Sequence, residues 1–311
     1  MFLRKIKISL SKLILPIFFR LFKILKINSR AVNFFERKQY IENSKIYHGT
    51  EIENILKGKK LKGLDVGAKG GFNSDEFFSK KYNQFFEKIL VDPIKENLND
   101  KNIKYINKGL WSSKCTKKLF ILGNRDFSSS MYEPDKDSLE IYGFKKKDYK
   151  LFDVTKTTIV ECDTIESTLN SLNIKTLDYL KIDAQGAELE ILKGLGNFKP
   201  LLIKCEIQIY PMYKDVPNWT NLLGLLNDLN YMLCEWRKIG SHITHSPTEM
   251  DMVFIPKFNN ADGKKQILNK QDEFIALMLM SGQIKLLKNI SNSLKLKYSE
   301  TYMKIKDRFF F

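Results

Sequence analysis

The stretch Gly63-Leu64-Asp65-Val66-Gly67-Ala68-Lys69-Gly70-Gly71 decides the fold. Leu61 to Val66 is a short, mostly apolar run with one acid near its end, and spaced glycines follow it. That is the pattern of a buried strand turning tightly into a helix beside a nucleotide-like ligand. Gly67 and Gly71 let backbone approach such a ligand and turn without a Cβ clash. A dinucleotide fingerprint GxGxxG in register with Gly67 and Gly70 requires glycine at position 65, where this chain has Asp65. An aspartate there repels a pyrophosphate and suits a cationic group.

Working outward, Ser74 is expected to cap a helix whose first turn holds Asp75 and Glu76. Lys88 to Asp92 reads as a second strand, stopped by Pro93. Asp92 lies 21 residues past Gly71, close to the ~20-residue interval at which a second-strand acid takes ribose hydroxyls. Strand-like runs follow at 102–109, 118–122 and 157–161, with a polar stretch, 124–153, expected to be an active-site loop. Asp163 is the expected cap of a helix to Leu172, with Glu166 three residues on as in a capping box. Leu177 to Asp183 reads as a strand, 186–194 as a helix, 201–209 as a strand, 219–229 as a helix and 251–255 as a late strand. The alternation predicts an α/β fold with a mostly parallel central sheet and helices on both faces. Ligands of such sheets sit at the carboxyl ends of strands. Asp65, Asp92 and Asp183 all fall there.

The chain of 311 residues is 43% hydrophobic, enough for a full core, and its formal charge is +16. The charge sits on the flanks. Residues 1–60 carry 14 Lys and Arg against 4 Asp and Glu, residues 262–311 carry 10 against 5, and the middle carries 28 against 27. A nucleic-acid groove would need its cations on the folded body, so a nucleic-acid partner is not expected. The expected division is a basic amphipathic segment over 1–45, a catalytic domain over 46–260 and a basic helical extension over 261–311. Leu13 to Phe19 followed by Arg20, Lys23, Lys26 and Arg30 gives the first segment an apolar and a basic face. Such a segment serves either as a peripheral contact with an anionic membrane or as a cover for the protein's own core. Cys115, Cys162, Cys205 and Cys234 lack metal-ligand spacing and read as reduced thiols. No uncharged run reaches the ~18 residues of a spanning helix, and no cleavable signal is evident, so a cytoplasmic body is expected.

Four places together resemble the FkbM-type S-adenosylmethionine-dependent methyltransferases, which have a Rossmann-like class I fold. Leu64 to Gly71 is similar to the family's Asp-Val-Gly-Ala-Asn-x-Gly, and Val91-Asp92-Pro93 to its acidic second-strand end. Cys162-Asp163-Thr164-Ile165 with Leu177 to Leu195 resembles its most distinctive block, Leu-Lys-Ile-Asp-Val-Glu-Gly-Ala-Glu, and Asp251 to Phe254 fits its last strand. The chain departs at Lys69, where the family has Asn, and at Gln185, where it has Glu. The first change makes the loop more cationic; the second removes a carboxylate but keeps a hydrogen-bonding group.

The resemblance implies S-adenosylmethionine as cofactor, with Asp65, Gly67 and Gly71 at its methionine end and Asp92 at its ribose. It also implies methyl transfer to a hydroxyl, often on a sugar, so a small-molecule or glycan acceptor is expected. An alcohol must lose its proton as the sulfonium methyl arrives in line. Asp183, at a strand's carboxyl end, is the first candidate for general base, or for ligand to a divalent metal that acidifies the hydroxyl. Glu206, an acid inside an apolar strand, is the second. Both also fit a polar network that orders the 184–188 turn. His242 and His245 fit ordinary loop histidines better than ligands. Ser128 to Ser130 with Tyr132, and Tyr210 to Tyr213, suit either a carbohydrate or the packing of a lid. The rival readings are a nicotinamide-dependent oxidoreductase, disfavoured by Asp65, and a non-catalytic methyltransferase-like scaffold.

Overall fold

The computed structural model describes residues 47–94, 103–237 and 248–305, with Ile17 and Leu21 as isolated helical positions. The amphipathic segment expected over 1–45, apart from those two positions, lies outside the described residues, as do His242 and His245. The strands are β1 (Leu61–Val66), β2 (Phe86–Val91), β3 (Ile103–Ile106), β4 (Gly109–Leu110) and β5 (Cys115–Leu122). They continue with β6 (Val154–Asp163), β7 (Tyr179–Ile182), β8 (Leu202–Gln208), β9 (Tyr231–Arg237) and β10 (Glu249–Pro256). The helices are α1 (Gly49–Leu56), α2 (Ile165–Ser171), α3 (Glu188–Lys193) and α4 (Trp219–Asp228). Then come α5 (Ala261–Asn269), α6 (Gln271–Met280), α7 (Ile284–Leu294) and α8 (Ser299–Met303).

Seven strands form the central sheet in the order β3-β2-β1-β7-β8-β10-β9. Pairings from β3 across to β8 are parallel, and β10 runs antiparallel to both its neighbours. From β1 the chain moves outward to β2 and β3, then returns to lay β7 on the other side of β1. The strand order therefore reverses between β1 and β7, where a parallel sheet opens a crevice at its carboxyl edge.

Strand residues alternate between two apolar layers. Leu61, Tyr179, Leu202, Val253 and Ile255 pack in one layer with α1 and α5 to α8, and Phe274 to Met280 of α6 are all buried there. Leu64, Val66, Leu180, Ile182, Ile203 and Cys205 pack in the other with α2, α3 and α4. Burial on both sides explains why these strands read as nearly continuous apolar runs. The chain from Ala261 to Ile305 thus supplies much of one apolar layer.

The first layer becomes charged toward the carboxyl edge. Asp65, Lys181, Lys204 and Asp251 are all buried on it. Lys204 Nζ lies 2.6 Å from Asp75 Oδ2 and 2.7 Å from Asp251 Oδ1. At the outer edge Arg237 pairs with Glu235 and donates to the carbonyls of Phe77 and Ser281, at 2.9 and 2.8 Å. Buried charges survive only when paired in this way.

Two sequence expectations change, and one strand is added. The helix expected from Ser74 is absent: Gly70, Gly71, Asn73 and Glu76 all have positive φ, and the first helical turn is a 3-10 segment at Lys80–Phe85. Asn73 is held locally, its amide donating to Asp65 Oδ2 at 3.1 Å and its side chain to Phe78 O at 2.8 Å, while Asp75 is drawn to Lys204. The cap of α2 is Thr164, which accepts from the Ser167 amide at 3.0 Å; Glu166 instead accepts from the Asn197 amide, also at 3.0 Å. Strand β9 has no counterpart among the expected elements, because Glu235 and Arg237 fall on its buried side and mask the alternation.

A second, small sheet has the order β4-β6-β5, with β5 and β6 antiparallel. The segment joining them, 123–153, has short 3-10 turns as its helical structure; Ser130 bridges back to Phe120 of β5, and its hydroxyl reaches the Gln185 carbonyl beyond the carboxyl end of β7. All four cysteines are free. No helix among the described residues is long and apolar enough to cross a membrane.

Candidate active site

The ends of β1, β2 and β7 enclose an open cleft. Gly67, Asp92 and Asp183 line it together, one from each strand end. Val91, Ile94, Leu110 and Met131 give it apolar walls, and Asp126, Phe127 and Ser129 to Met131 of the 123–153 segment supply its far side. The loop expected near the site is therefore there, through its first third.

Gly67 has φ +70°, and a Cβ on it would lie 1.8 Å from the Asp183 carbonyl oxygen. Its amide donates to Val91 O, and the Asp183 amide donates to Val66 O, both at 3.0 Å. Glycine is required where three strand ends converge, whether or not a ligand is near. Asp92 Oδ1 accepts from the Ile94 amide at 2.7 Å. Tyr105 Oη donates to Ile94 O at 2.6 Å, and the Asn107 side chain donates to the Asp92 and Pro93 carbonyls at 3.1 and 2.9 Å. These bonds from β3 and the turn after it fix the Asp92 corner, a role sequence reading does not assign to Tyr105 or Asn107.

Asp65 and Gly71 are not among the cleft's lining residues. Asp65 is 1% exposed and faces the sheet interior. Its Oδ1 lies 3.1 Å from Lys181 Nζ, which also sits 3.5 Å from Asp183 Oδ2 and donates to Gly67 O at 3.3 Å. Burial alone would push the Lys181 ammonium down, but Asp65 and Asp183 outweigh it and hold Lys181 above its ordinary value. Burial pushes the Asp65 carboxyl up, against the pull of Lys181 and the Asn73 amide. Register places Lys181 beside Asp65 across β1 and β7. A lysine between Leu180 and Ile182 in a buried strand is the sequence signal for this role.

Gln185 connects the rest of the site. It sits at φ +53°, a conformation that needs outside support in a residue with a side chain. Its Nε2 donates to Asp183 Oδ1 at 3.0 Å and to Glu206 Oε1 at 3.2 Å, and its Oε1 accepts from Tyr213 Oη at 2.8 Å. Ser130 Oγ donates to its carbonyl at 2.6 Å, and Tyr213 Oη also contacts Ser128 O at 2.7 Å. Of the three tyrosines expected to face a sugar or pack a lid, Tyr213 is buried in this network, Tyr132 is half-buried and Tyr210 is exposed. Glu206 stands behind Gln185 and does not line the cleft. Burial first, then Asp183 and Glu249, push its carboxyl well above the usual range.

Glu188 is buried, and its Oε1 accepts from the Ala184 and Gly186 amides at 2.8 and 3.2 Å, ordering the turn below Asp183. Burial raises its pKa to about 7 despite those donors. The folded protein therefore keeps a proton that the unfolded chain has lost between the ordinary value and about pH 7. The stability this confers is complete below the unfolded value and is lost as pH rises through about 7. Glu188→Gln retains the accepting oxygen and cannot titrate. Thermal melts from pH 5 to 8 should show the variant gaining on wild type as pH rises, by on the order of 5 °C in Tm. A gap independent of pH would show that Glu188 does not titrate in the fold.

Lys69, in the turn after β1, pairs with Asp126 across the cleft, and both line it. Among the described residues no three His, Cys, Asp or Glu side chains converge in a way that could hold a metal ion. A family model described as "Methyltransferase FkbM domain" matches residues 65–233, more than half of the chain. No curated protein matches it.

Proposed function

From the premise that the chain belongs to the FkbM methyltransferase family, we propose that it transfers the methyl group of S-adenosylmethionine to a hydroxyl of a sugar, glycan or glycan precursor. The observation that carries this reading is the convergence of Gly67, Asp92 and Asp183 on one cleft at the sheet's reversal point. The sheet order supports a Rossmann-like class I arrangement, in which that crevice is the cofactor site. The donor set fits the group: a carboxylate at the second strand end for ribose hydroxyls, apolar walls for a purine, and backbone at Gly67 close enough for an amino-acid end.

When bound, the cofactor supplies an electrophilic methyl on a sulfonium. Asp92 would hold the ribose, its corner fixed by Tyr105 and Asn107. Asp183 would take the hydroxyl proton of the acceptor, with one oxygen held by Gln185 and the other beside Lys181. Asp65 acts through Lys181 and the Asn73 amide, shaping the turn that receives the methionine end. Glu206 supports Asp183 from behind Gln185. This reading assigns the chain to the cytoplasm, with the basic segment 1–45 available to an anionic membrane surface.

Isothermal titration with S-adenosylhomocysteine tests the cofactor assignment. Wild type should bind, and Asp92→Ala should bind about 10- to 100-fold more weakly, the cost of losing charge-assisted hydrogen bonds. Absence of binding by wild type would overturn the reading. Fluorescence quenching by reduced nicotinamide nucleotides instead would favour the oxidoreductase.

A further inference from the structure

The Lys69 ion pair lies across the mouth of the site. Lys69 belongs to the wall built by the β1 turn, and Asp126 to the wall built by the segment after β5. The two partners are held differently. The Lys69 backbone is fixed, its carbonyl accepting from Ser74 Oγ at 3.0 Å and the turn closed by the Gly71 amide on Ala68 O at 2.9 Å. The Asp126 side chain is 57% exposed against 25% for Lys69, so it returns to water at little cost.

The charges around the cleft are asymmetric. Among the described residues that line it, Asp92, Asp126 and Asp183 are the acids and Lys69 and Lys108 the cations. Lys108 stands beside Gly109 on the wall near the Asp92 corner, which leaves Lys69 as the lining cation next to Gly67. A cofactor whose amino-acid end enters at Gly67 brings a carboxylate to a place where Lys69, among the described residues lining the cleft, is the side-chain cation at hand and is already matched by a displaceable carboxylate; Lys181, also near Gly67, is buried between Asp65 and Asp183.

Resting on the cofactor reading above, we propose that Lys69 receives the α-carboxylate of the cofactor's methionine end, and that Asp126 is the placeholder it exchanges. Lys69 is then a specificity-determining residue for amino-acid-bearing nucleosides. Asp126 lowers apparent affinity by the fraction of time it holds Lys69.

The test uses the full chain and two probes in titration calorimetry: S-adenosylhomocysteine, and 5′-methylthioadenosine, which lacks the amino-acid end. Lys69→Met should weaken S-adenosylhomocysteine about 10-fold or more and leave methylthioadenosine within about twofold. Lys69→Arg should restore most of the loss. Asp126→Asn should tighten S-adenosylhomocysteine about threefold or more without moving methylthioadenosine. Melting curves for each variant establish that the fold is intact. If Lys69→Met weakens both probes equally, or neither, or if Asp126→Asn weakens the homocysteine probe, the pair is a structural strap and the inference fails alone. If wild type binds neither probe, the cofactor reading fails and takes this inference with it.

Discussion

Lys181→Met should cost about 3 to 5 kcal/mol of stability and lower Tm by on the order of 10 °C. The ammonium it removes is 3% exposed and serves Asp65, Asp183 and the Gly67 carbonyl at once. Asp65 would remain buried with the Asn73 amide as its donor. Desolvation that Lys181 now offsets would then fall on a lone carboxylate, which must protonate or open the turn. The double variant Lys181→Met with Asp65→Asn leaves neither charge and should recover much of the loss. Chemical denaturation of the two single variants and the double gives the coupling. Additive losses would show that the pair does not interact in the folded protein, and a change under about 2 °C for Lys181→Met would remove it from the account of the site.

The same pair shows what the sequence does and does not display. Leu61 to Val66 reads as a strand because its apolar residues serve both faces of a parallel sheet, and the structure has the same bounds. Asp92 and Asp183 read as strand-end acids because each ends an apolar run, and both line the cleft. Asp65 looks equivalent in sequence, but its side chain points into the layer that Lys181 also enters. Its partner there is set by the register of β1 with β7, separated by more than a hundred residues. The turn after Gly71 was illegible for a similar reason. Ser74, Asp75 and Glu76 have the local chemistry of a helix start, but Asp75 is needed by Lys204 and Asn73 by Asp65. Long-range charge pairing overrides local capping here: the buried Lys204 ammonium takes Asp75 as a second carboxylate beside Asp251. The hub at Gln185 was visible only as a departure from the family pattern. Its geometry explains why an amide suits this chain: a carboxylate there would face Asp183 and Glu206 with no proton to donate to either.

Asp183→Asn should reduce methyl transfer by about 10² to 10⁴ while S-adenosylhomocysteine affinity stays within about threefold of wild type. The substitution keeps an oxygen to accept from Gln185 Nε2 and removes the carboxylate proposed to take the proton. Glu206 is a poor substitute. It stands behind Gln185, and burial with Asp183 beside it favours its protonated form, so it does not present a free carboxylate to the cleft. Glu206→Gln should therefore lower transfer far less than Asp183→Asn, acting through the position of Gln185. Incorporation of labelled methyl from the cofactor into a polysaccharide fraction of a cell extract measures transfer, and calorimetry measures affinity on the same preparations. Equal losses of transfer and affinity in Asp183→Asn would make Asp183 a binding or structural residue. If Glu206→Gln proved the more damaging variant, the proton would have to leave by way of Gln185 and Glu206. An amide cannot accept a proton from an alcohol near neutral pH, so the acceptor would then have to displace Gln185, which Ser130 and Tyr213 hold in place.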